Sequence, residues 1–407
     1  MRYDILHLQE IKSSLQIEGN AINALKNSSL DRYGVRRFEK GKQFLTSRLG
    51  QASLEQLLSE SQKWGGPGTT YEASFAKPHT EHRQGRQLSE NLLQEFEEKT
   101  LQLIHKYPQF VFSGKCMIQQ TITSLQSNDG LDLKASGGAA SWYLLYQRRG
   151  SGNMMDGFFA ENSLTPSFDE QIQAHQPFLE VFDHIAQVKS GKMPVLFINA
   201  TEPLKKLIES FSVQRYHEGS CLYAGKLGQE LFSPKVTLLD HCYQPAQGDH
   251  QFFDDEGTVR KNDPLVLIEQ GRFTSLICDL RFAKRYNCQT TGNGRRHYNT
   301  GVQVMPYNIR FVGGEKSWQQ TVQDLDQCLV VMIMAGSESN DFGEFSSPVQ
   351  VGYVFKKGQL VGRAPQLTIK TSITECLTKN LIAISSNSFL PNSHEPCLIT
   401  QADVLVN

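Results

Sequence analysis

The chain has 407 residues, 39% of them hydrophobic and 20% charged. Its 41 Lys and Arg against 42 Asp and Glu leave a formal charge of −1, which excludes the long-range field that non-specific nucleic-acid binding or an anionic membrane surface would use. The length exceeds one ordinary core and predicts two or three domains.

The first ten residues carry no apolar core of signal-peptide length, and no run reaches the ~18 apolar residues of a spanning helix, so a cytoplasmic protein off the membrane is expected. Residues 14–24 and 33–46 read as strands, with Asn27-Ser28-Ser29 between them and Glu39-Lys40-Gly41-Lys42 as a tight turn. Ser53 is a candidate N-cap for a helix over 54–63, where Leu54, Leu57, Leu58 and Ser61 share one face and Gly65-Gly66-Pro67-Gly68 stops the run. Residues 77–87 form a polar loop in which His79 and His82 lack a third ligand nearby. A long amphipathic helix over 88–107 ends at Pro108.

Residues 111–125 alternate as a strand, Ser127-Asn128-Asp129-Gly130 is a hairpin signal, and residues 131–138 and 140–149 continue the sheet to a turn at Gly150. A second long helix is expected over 168–189, bent near Pro177. Gly191-Lys192-Met193-Pro194 marks the junction between a first domain of residues 1–190 and a second of residues 191–407. A strand over 195–199 and a helix over 201–211 open the second half. Short strands follow at 236–239, 265–268, 273–278, 307–312, 329–335, 349–355 and 367–369, an antiparallel, barrel-like pattern. The fold class is α+β in two lobes, an amino-terminal sheet with long helices and a carboxy-terminal β-barrel-like domain.

The chemistry concentrates in residues 252–296. Asp254, Asp255 and Glu256 are three adjacent carboxylates closed by Gly257, and ionised they repel unless cations, backbone N–H groups or water offset them. The cluster lacks the alternate-residue ligand pattern of a calcium loop, so a solvated or backbone-capped turn is the expectation. A hairpin turning at Gln270-Gly271, a helical turn over 281–286 and a loop of Thr290-Thr291-Gly292-Asn293-Gly294 come next. Arg281, Lys284, Arg285, Arg295, Arg296 and His297 supply basic groups for a structural ion-pair network with those carboxylates, or for recognition of a peptide carboxylate. Asp254, Asp255, Glu256 and Asn293 are therefore the candidate substrate-binding residues.

A second candidate is His217-Glu218 with Cys221, a His/Cys pair with a glutamate as base. Gly219 and Ser220 are poor helix formers, which argues against a shared ligand face. His394-Glu395 runs straight into Pro396 and reads as a loop. No G-x-S-x-G elbow or phosphate-binding loop is present. The eight cysteines, at 116, 221, 242, 278, 288, 328, 376 and 397, have no C-x-x-C spacing and read as reduced, mostly buried thiols.

The order of Asp254-Asp255-Glu256-Gly257, Leu267-Ile268-Glu269-Gln270-Gly271, Ala283-Lys284 and Thr291-Gly292-Asn293 resembles the carboxy-terminal half of the TldD/PmbA family (peptidase U62, the family described as modulators of DNA gyrase). Leu30 to Gly41, Asn128 to Gly130, Ala224 to Phe232, Gly343 to Ser346 and Gly352 to Gly358 fall in the same family order, so the resemblance covers nearly the whole chain and is closest to the PmbA (TldE)-like members.

That resemblance implies a zinc peptidase whose TldD-type subunit carries H-E-x-x-x-H, two histidines for the ion and a glutamate to activate water. Here no histidine follows His217 at +4 or +5, and residues 385–396, which occupy the segment where a TldD-type subunit supplies a cysteine ligand, contain none. The resemblance thus implies a subunit with no catalytic residue and no metal of its own, zinc being held by a TldD-like partner. It also implies pairing with that partner or with an identical chain as a dimer, and an unfolded peptide held by strand addition. Against the family resemblance, the helix that usually precedes the opening strands is expected to be missing from this chain. Two other functions stand beside this one: an autonomous metallohydrolase using His217, Glu218 and Cys221, and a non-proteolytic binding or assembly protein of the gyrase-modulator type.

Overall fold

The structure is a computed structural model that describes every residue except 64–65, 72–73, 87, 89–90 and 245–249. The expected helix stop at Gly65 and the ends of the 77–87 loop and 88–107 helix lie in part outside the described residues.

The first sheet is built on long strands: β1 (Arg2–Glu18), β2 (Ala21–Glu39), β3 (Lys42–Leu49), β4 (Thr69–Thr70), β5 (His79–Gln84), β6 (Phe110–Ser127), β7 (Leu131–Arg148) and β8 (Gly157–Ser163). Their order is β4-β3-β2-β1-β6-β7-β5, with β8 also on β7. Helices α1 (Leu54–Lys63), α2 (Asn91–Lys106) and α3 (Phe168–Glu180) accompany it. Ser53 caps α1, its Oγ accepting from the Gln56 N–H at 3.2 Å while Gln56 Oε1 accepts from the Ser53 N–H at 3.0 Å. Leu93, Phe96 and Leu103 of α2 and Phe168 of α3 bury against Leu15, Ile17, Cys116 and Trp142 on one face of the sheet.

Three expectations for this part are corrected. Asn27-Ser28-Ser29 is no turn: it pairs residue for residue with Ser13, Lys12 and Ile11. The chain reverses earlier, at Gly19 (φ 59°) and Asn20 (φ 71°), where the Asn20 side chain bonds Phe110 O and the Phe112 N–H. Polar residues persist in β2 there because its pairing with β3 begins only at Arg32, and residues 21–29 are mostly exposed. Residues 131–148 form one strand rather than two, running through Gly137 and Gly138. A Cβ on Gly137 would lie 1.7 Å from the His250 ring, so glycine lets that ring approach the strand. Finally, α3 stops at Glu180, three residues past Pro177, instead of reaching 189.

The second half contributes β9 (Gly191–Phe197), β10 (Leu238–Asp240), β11 (Leu265–Glu269), β12 (Arg272–Phe273), β13 (Gly294–Arg295), β14 (Gln303–Val304), β15 (Ile309–Phe311), β16 (Cys328–Met334), β17 (Glu338–Ser339), β18 (Glu344–Lys356), β19 (Gln359–Arg363), β20 (Leu367–Ser372), β21 (Leu381–Ile384) and β22 (Leu398–Val406). Short helices punctuate them: α4 (Lys205–Glu209), α5 (Val213–His217), α6 (Leu280–Arg285), α7 (Trp318–Gln323) and α8 (Ile373–Cys376). The run β16-β9-β22-β20-β18 closes on itself because β18 also pairs with β16, giving the barrel-like sheet. Its pairings are antiparallel except β9 with β16, which run parallel.

Burial on both faces is why β16 and residues 193–197 of β9 read as apolar runs. Val195, Phe197, Leu329, Val331, Val354, Ile369 and Leu398 fill one side. Leu196, Val330, Tyr353 and Ile399 face Phe178 of α3 on the other. The expected strand over 273–278 shrinks to β12, because Ile277 turns to bond Phe211 O and accept from the Val213 N–H. Among the described residues no helix is long and apolar enough to cross a membrane.

Candidate functional site

Asp254, Asp255 and Glu256 are 0–4% exposed, so the cluster is a backbone-capped turn and not a solvated one. Asp254 Oδ1 accepts from the N–H groups of Glu256 (3.0 Å) and Thr258 (2.8 Å), and its Oδ2 from the Gly294 N–H (3.0 Å). Burial and then the charge of Glu256 push Asp254 up to about 8, and the backbone donors of Thr258 and Gly294 oppose the rise. Asp255 accepts from the Arg296 N–H at 2.7 Å and from Gln251 Nε2 at 3.1 Å. Glu256 accepts from the first N–H of α6, Leu280, at 2.8 Å, and burial raises its carboxyl while Arg36 resists.

The cations arrive from far away in sequence. Arg36 on β2 forks onto Asp4 of β1 at 2.7–3.1 Å and reaches Glu256 Oε1 at 3.4 Å. Burial works against its charge, and Asp4 and then Glu256 more than offset that, so this guanidinium sits above its ordinary value. Arg296 Nη2 donates to Asp4 at 3.0 Å, and burial and the charge of Arg36 bring it down to about 10. The Tyr71 hydroxyl adds a contact to Glu256 at 3.4 Å. Residue-level reading missed Asp4 and Arg36, although an arginine pair inside the strand Val35-Arg36-Arg37-Phe38 was a visible sign of buried charge.

Asn293 belongs to an adjoining hub. Its Nδ2 donates to Asp240 Oδ2 (2.8 Å) and Met305 O (3.0 Å), while its Oδ1 accepts from Arg260 Nη2 (2.9 Å) and Thr291 Oγ1 (2.7 Å). Arg260 also bonds Asp240 at 2.9 Å. Gly294 is required by the packing, since a Cβ there would lie 2.6 Å from Glu256 Oε2. All four candidate substrate-binding residues are thus buried and engaged with the chain itself. The basic groups split: Arg295 and Arg296 join the network, whereas Arg281 and Arg285 lie over the Phe282 ring at 4.3 and 5.4 Å.

His217 ends α5 and stacks on Tyr286, ring centroids 4.2 Å apart. Glu218, the C-cap residue, accepts from Gln214 Nε2 at 3.1 Å, and Cys221 is half-buried, its thiol raised by burial. Among the described residues no group of three or more His, Cys, Asp or Glu is arranged to hold a metal ion. His79 and His82 pair with different carboxylates, Glu81 (2.8 Å) and Asp132 (3.3 Å).

A cleft of about 750 Å³ has polar walls on both halves of the chain. Trp142 and Glu161 of β7 and β8 face it from the first sheet, and Gln244, Arg310 and Asn392 from the second half. Glu161 is 7% exposed and accepts from Trp142 Nε1 (3.3 Å), the Ser167 N–H (3.1 Å) and Asn392 Nδ2 (3.1 Å), with burial raising its carboxyl. Such walls offer donors and acceptors of the kind a peptide backbone uses.

The family model described as the PmbA/TldA metallopeptidase C-terminal domain matches residues 190–402. The chain belongs to the PmbA/TldD family. The fold is similar over the full length to that of TldE from Thermococcus kodakarensis, which superposes with a TM-score of 0.84 at 20% identity, covering 100% of this chain and 97% of that one. Among curated PmbA/TldD relatives, a metalloprotease TldD homolog of Haemophilus influenzae is 25% identical over 162 residues, 39% of this chain and 33% of its own length. An uncharacterized protein of Methanocaldococcus jannaschii is 25% identical over 157 residues, 38% of this chain and 36% of its own length. The matched segments span about a third of these relatives. In this PmbA/TldD member the acidic turn Asp254-Asp255-Glu256 is a buried junction between the first sheet and the second half of the chain.

Proposed function

We propose that the chain is a PmbA/TldE-like, non-catalytic subunit of a cytoplasmic metallopeptidase that matures or degrades peptides, and that it divides into lobes of residues 1–190 and 191–407. The observation that carries this reading is the family match over residues 190–402. It is supported by the placement of His217 on Tyr286 and of the Glu218 carboxylate on Gln214, which leaves the two side chains engaged separately. In this reading a TldD-like partner holds the zinc, the two chains pair, and an unfolded peptide lies extended in the cleft beside β8, which among the described residues pairs with β7 alone.

The test is zinc analysis and a peptidase assay on the purified chain, alone and mixed with a TldD-like subunit. Cleavage of an unstructured peptide only in the mixture, with zinc tracking the TldD-like chain, is the expected result. Stoichiometric zinc and turnover by this chain alone would overturn the proposal.

A further inference from the structure

Cys278 and Cys288 bracket α6, and their Sγ atoms lie 3.7 Å apart. The two thiols differ in access, Cys278 being 2% exposed and Cys288 on the surface. Their backbones are held independently of any bond between the sulfurs. The Cys278 N–H donates to Thr291 Oγ1 at 2.7 Å, and its carbonyl accepts from the Thr291 N–H (3.1 Å) and the Thr290 hydroxyl (3.1 Å), which pins the segment following Cys288 beside it. The Cys288 N–H donates to Ala283 O at 2.9 Å, closing the end of α6. Asp279 fixes the other end, accepting from the Phe282 N–H at 2.7 Å.

Two thiols held this close need a side-chain movement of only about 1.7 Å to reach a disulfide length. The last turn of α6 carries Lys284 and Arg285, positive charge that attracts an anionic disulfide.

We propose that Cys278 and Cys288 form a thiol–disulfide exchange site that takes a low-molecular-weight disulfide, of the oxidised-glutathione class, as its oxidant. The Cys288 thiolate attacks one sulfur of the small disulfide, and one small thiol leaves with a proton from solvent. The Cys278 sulfur then attacks Cys288 in the mixed disulfide, giving up its proton, and the second small thiol leaves. The protein loses two hydrogens and the small disulfide gains them. Burial pushes the Cys278 thiol upward, so the second step is the slower one and speeds as pH rises. The product ties the two ends of α6 together directly beside Glu256, whose carboxylate receives the first N–H of that helix.

The test treats the full chain with oxidised glutathione at pH 7 and 8.5 and follows intact mass, then maps cysteines without reduction. The expected result is a transient glutathione adduct followed by a species two hydrogens lighter, with Cys278 linked to Cys288 and faster second-phase kinetics at pH 8.5. Cys288→Ser should give neither species, and Cys278→Ser should stop at the adduct. A wild-type adduct on Cys288 that never resolves, a bridge to any other cysteine, or no reaction of Cys288 would each overturn the proposal, and wild type with Cys288→Ser decides it even if the buried Cys278→Ser variant fails to fold. The readout is independent of any peptidase activity.

Discussion

Two segments of this chain carry the residue types that chemistry uses, and the fold treats them in opposite ways. Asp254-Asp255-Glu256 is drawn into the interior, where every carboxylate meets backbone donors or a guanidinium from the first sheet. His217-Glu218 and Cys221 stay at the end of a five-residue helix, with His217 and Glu218 exposed and held by different neighbours. A cluster in sequence is therefore neither necessary nor sufficient for a site: what matters is whether its groups have been spent on the protein itself.

Breaking the buried segment should have the largest effect. Arg36→Met removes the shared partner of Asp4 and Glu256, two carboxylates 4% exposed, and should destabilise by about 3–5 kcal/mol, read as a fall in the urea midpoint. A change under 1 kcal/mol would show the network to be dispensable.

The same contrast between buried and exposed groups applies to the histidines. His175 is 1% exposed, its Nδ1 bonds Gln171 O at 2.9 Å, and burial brings it down to about 4 from an ordinary 6.5. Because the unfolded chain takes up that proton first, stability is fully present above pH 6.5 and is lost as pH falls toward 4, by roughly 3 kcal/mol in all. Denaturation at pH 7 and pH 4.5 should show this slope, and His175→Phe should flatten it.

Gly294→Ala sharpens the comparison at a single carbon. The added methyl must displace Glu256 Oε2, and about 1–3 kcal/mol of destabilisation is expected by thermal or urea unfolding, against no effect if the carboxylate can swing aside. The smallest effect belongs to the exposed segment: His217→Ala loses one ring stack on Tyr286, about 1 kcal/mol, and should leave zinc content unchanged. Loss of bound zinc on that substitution would reverse the comparison.

Much of the fold was legible residue by residue. Ser53 and its helix, the turn at Ser127 to Gly130, the helical turn after Asp279 and the apolar strands of the second half all follow from caps, turn residues and periodicity. Asn27-Ser28-Ser29 misled because its turn propensity is a local preference, and pairing with seventeen residues of β1 outweighs it. Of the basic groups expected to pair with the acidic turn, Arg295 meets Asp255 at 3.5 Å, whereas the Arg296 guanidinium bonds Asp4, which nothing local in the sequence places beside it.

What the sequence by itself determined is the set of local conformations and the family they spell, since caps, glycines and alternating runs act within a few residues. Only the tertiary structure decided what the acidic turn is for. The register of β1 against β2 sets Asp4 opposite Arg36, and packing of that pair on Glu256, 220 positions further along, turns three repelling carboxylates into a buried junction. The same packing leaves Cys278 and Cys288 with their sulfurs in contact, a proximity that ten residues of sequence could not show because it depends on how α6 and the threonines after it close.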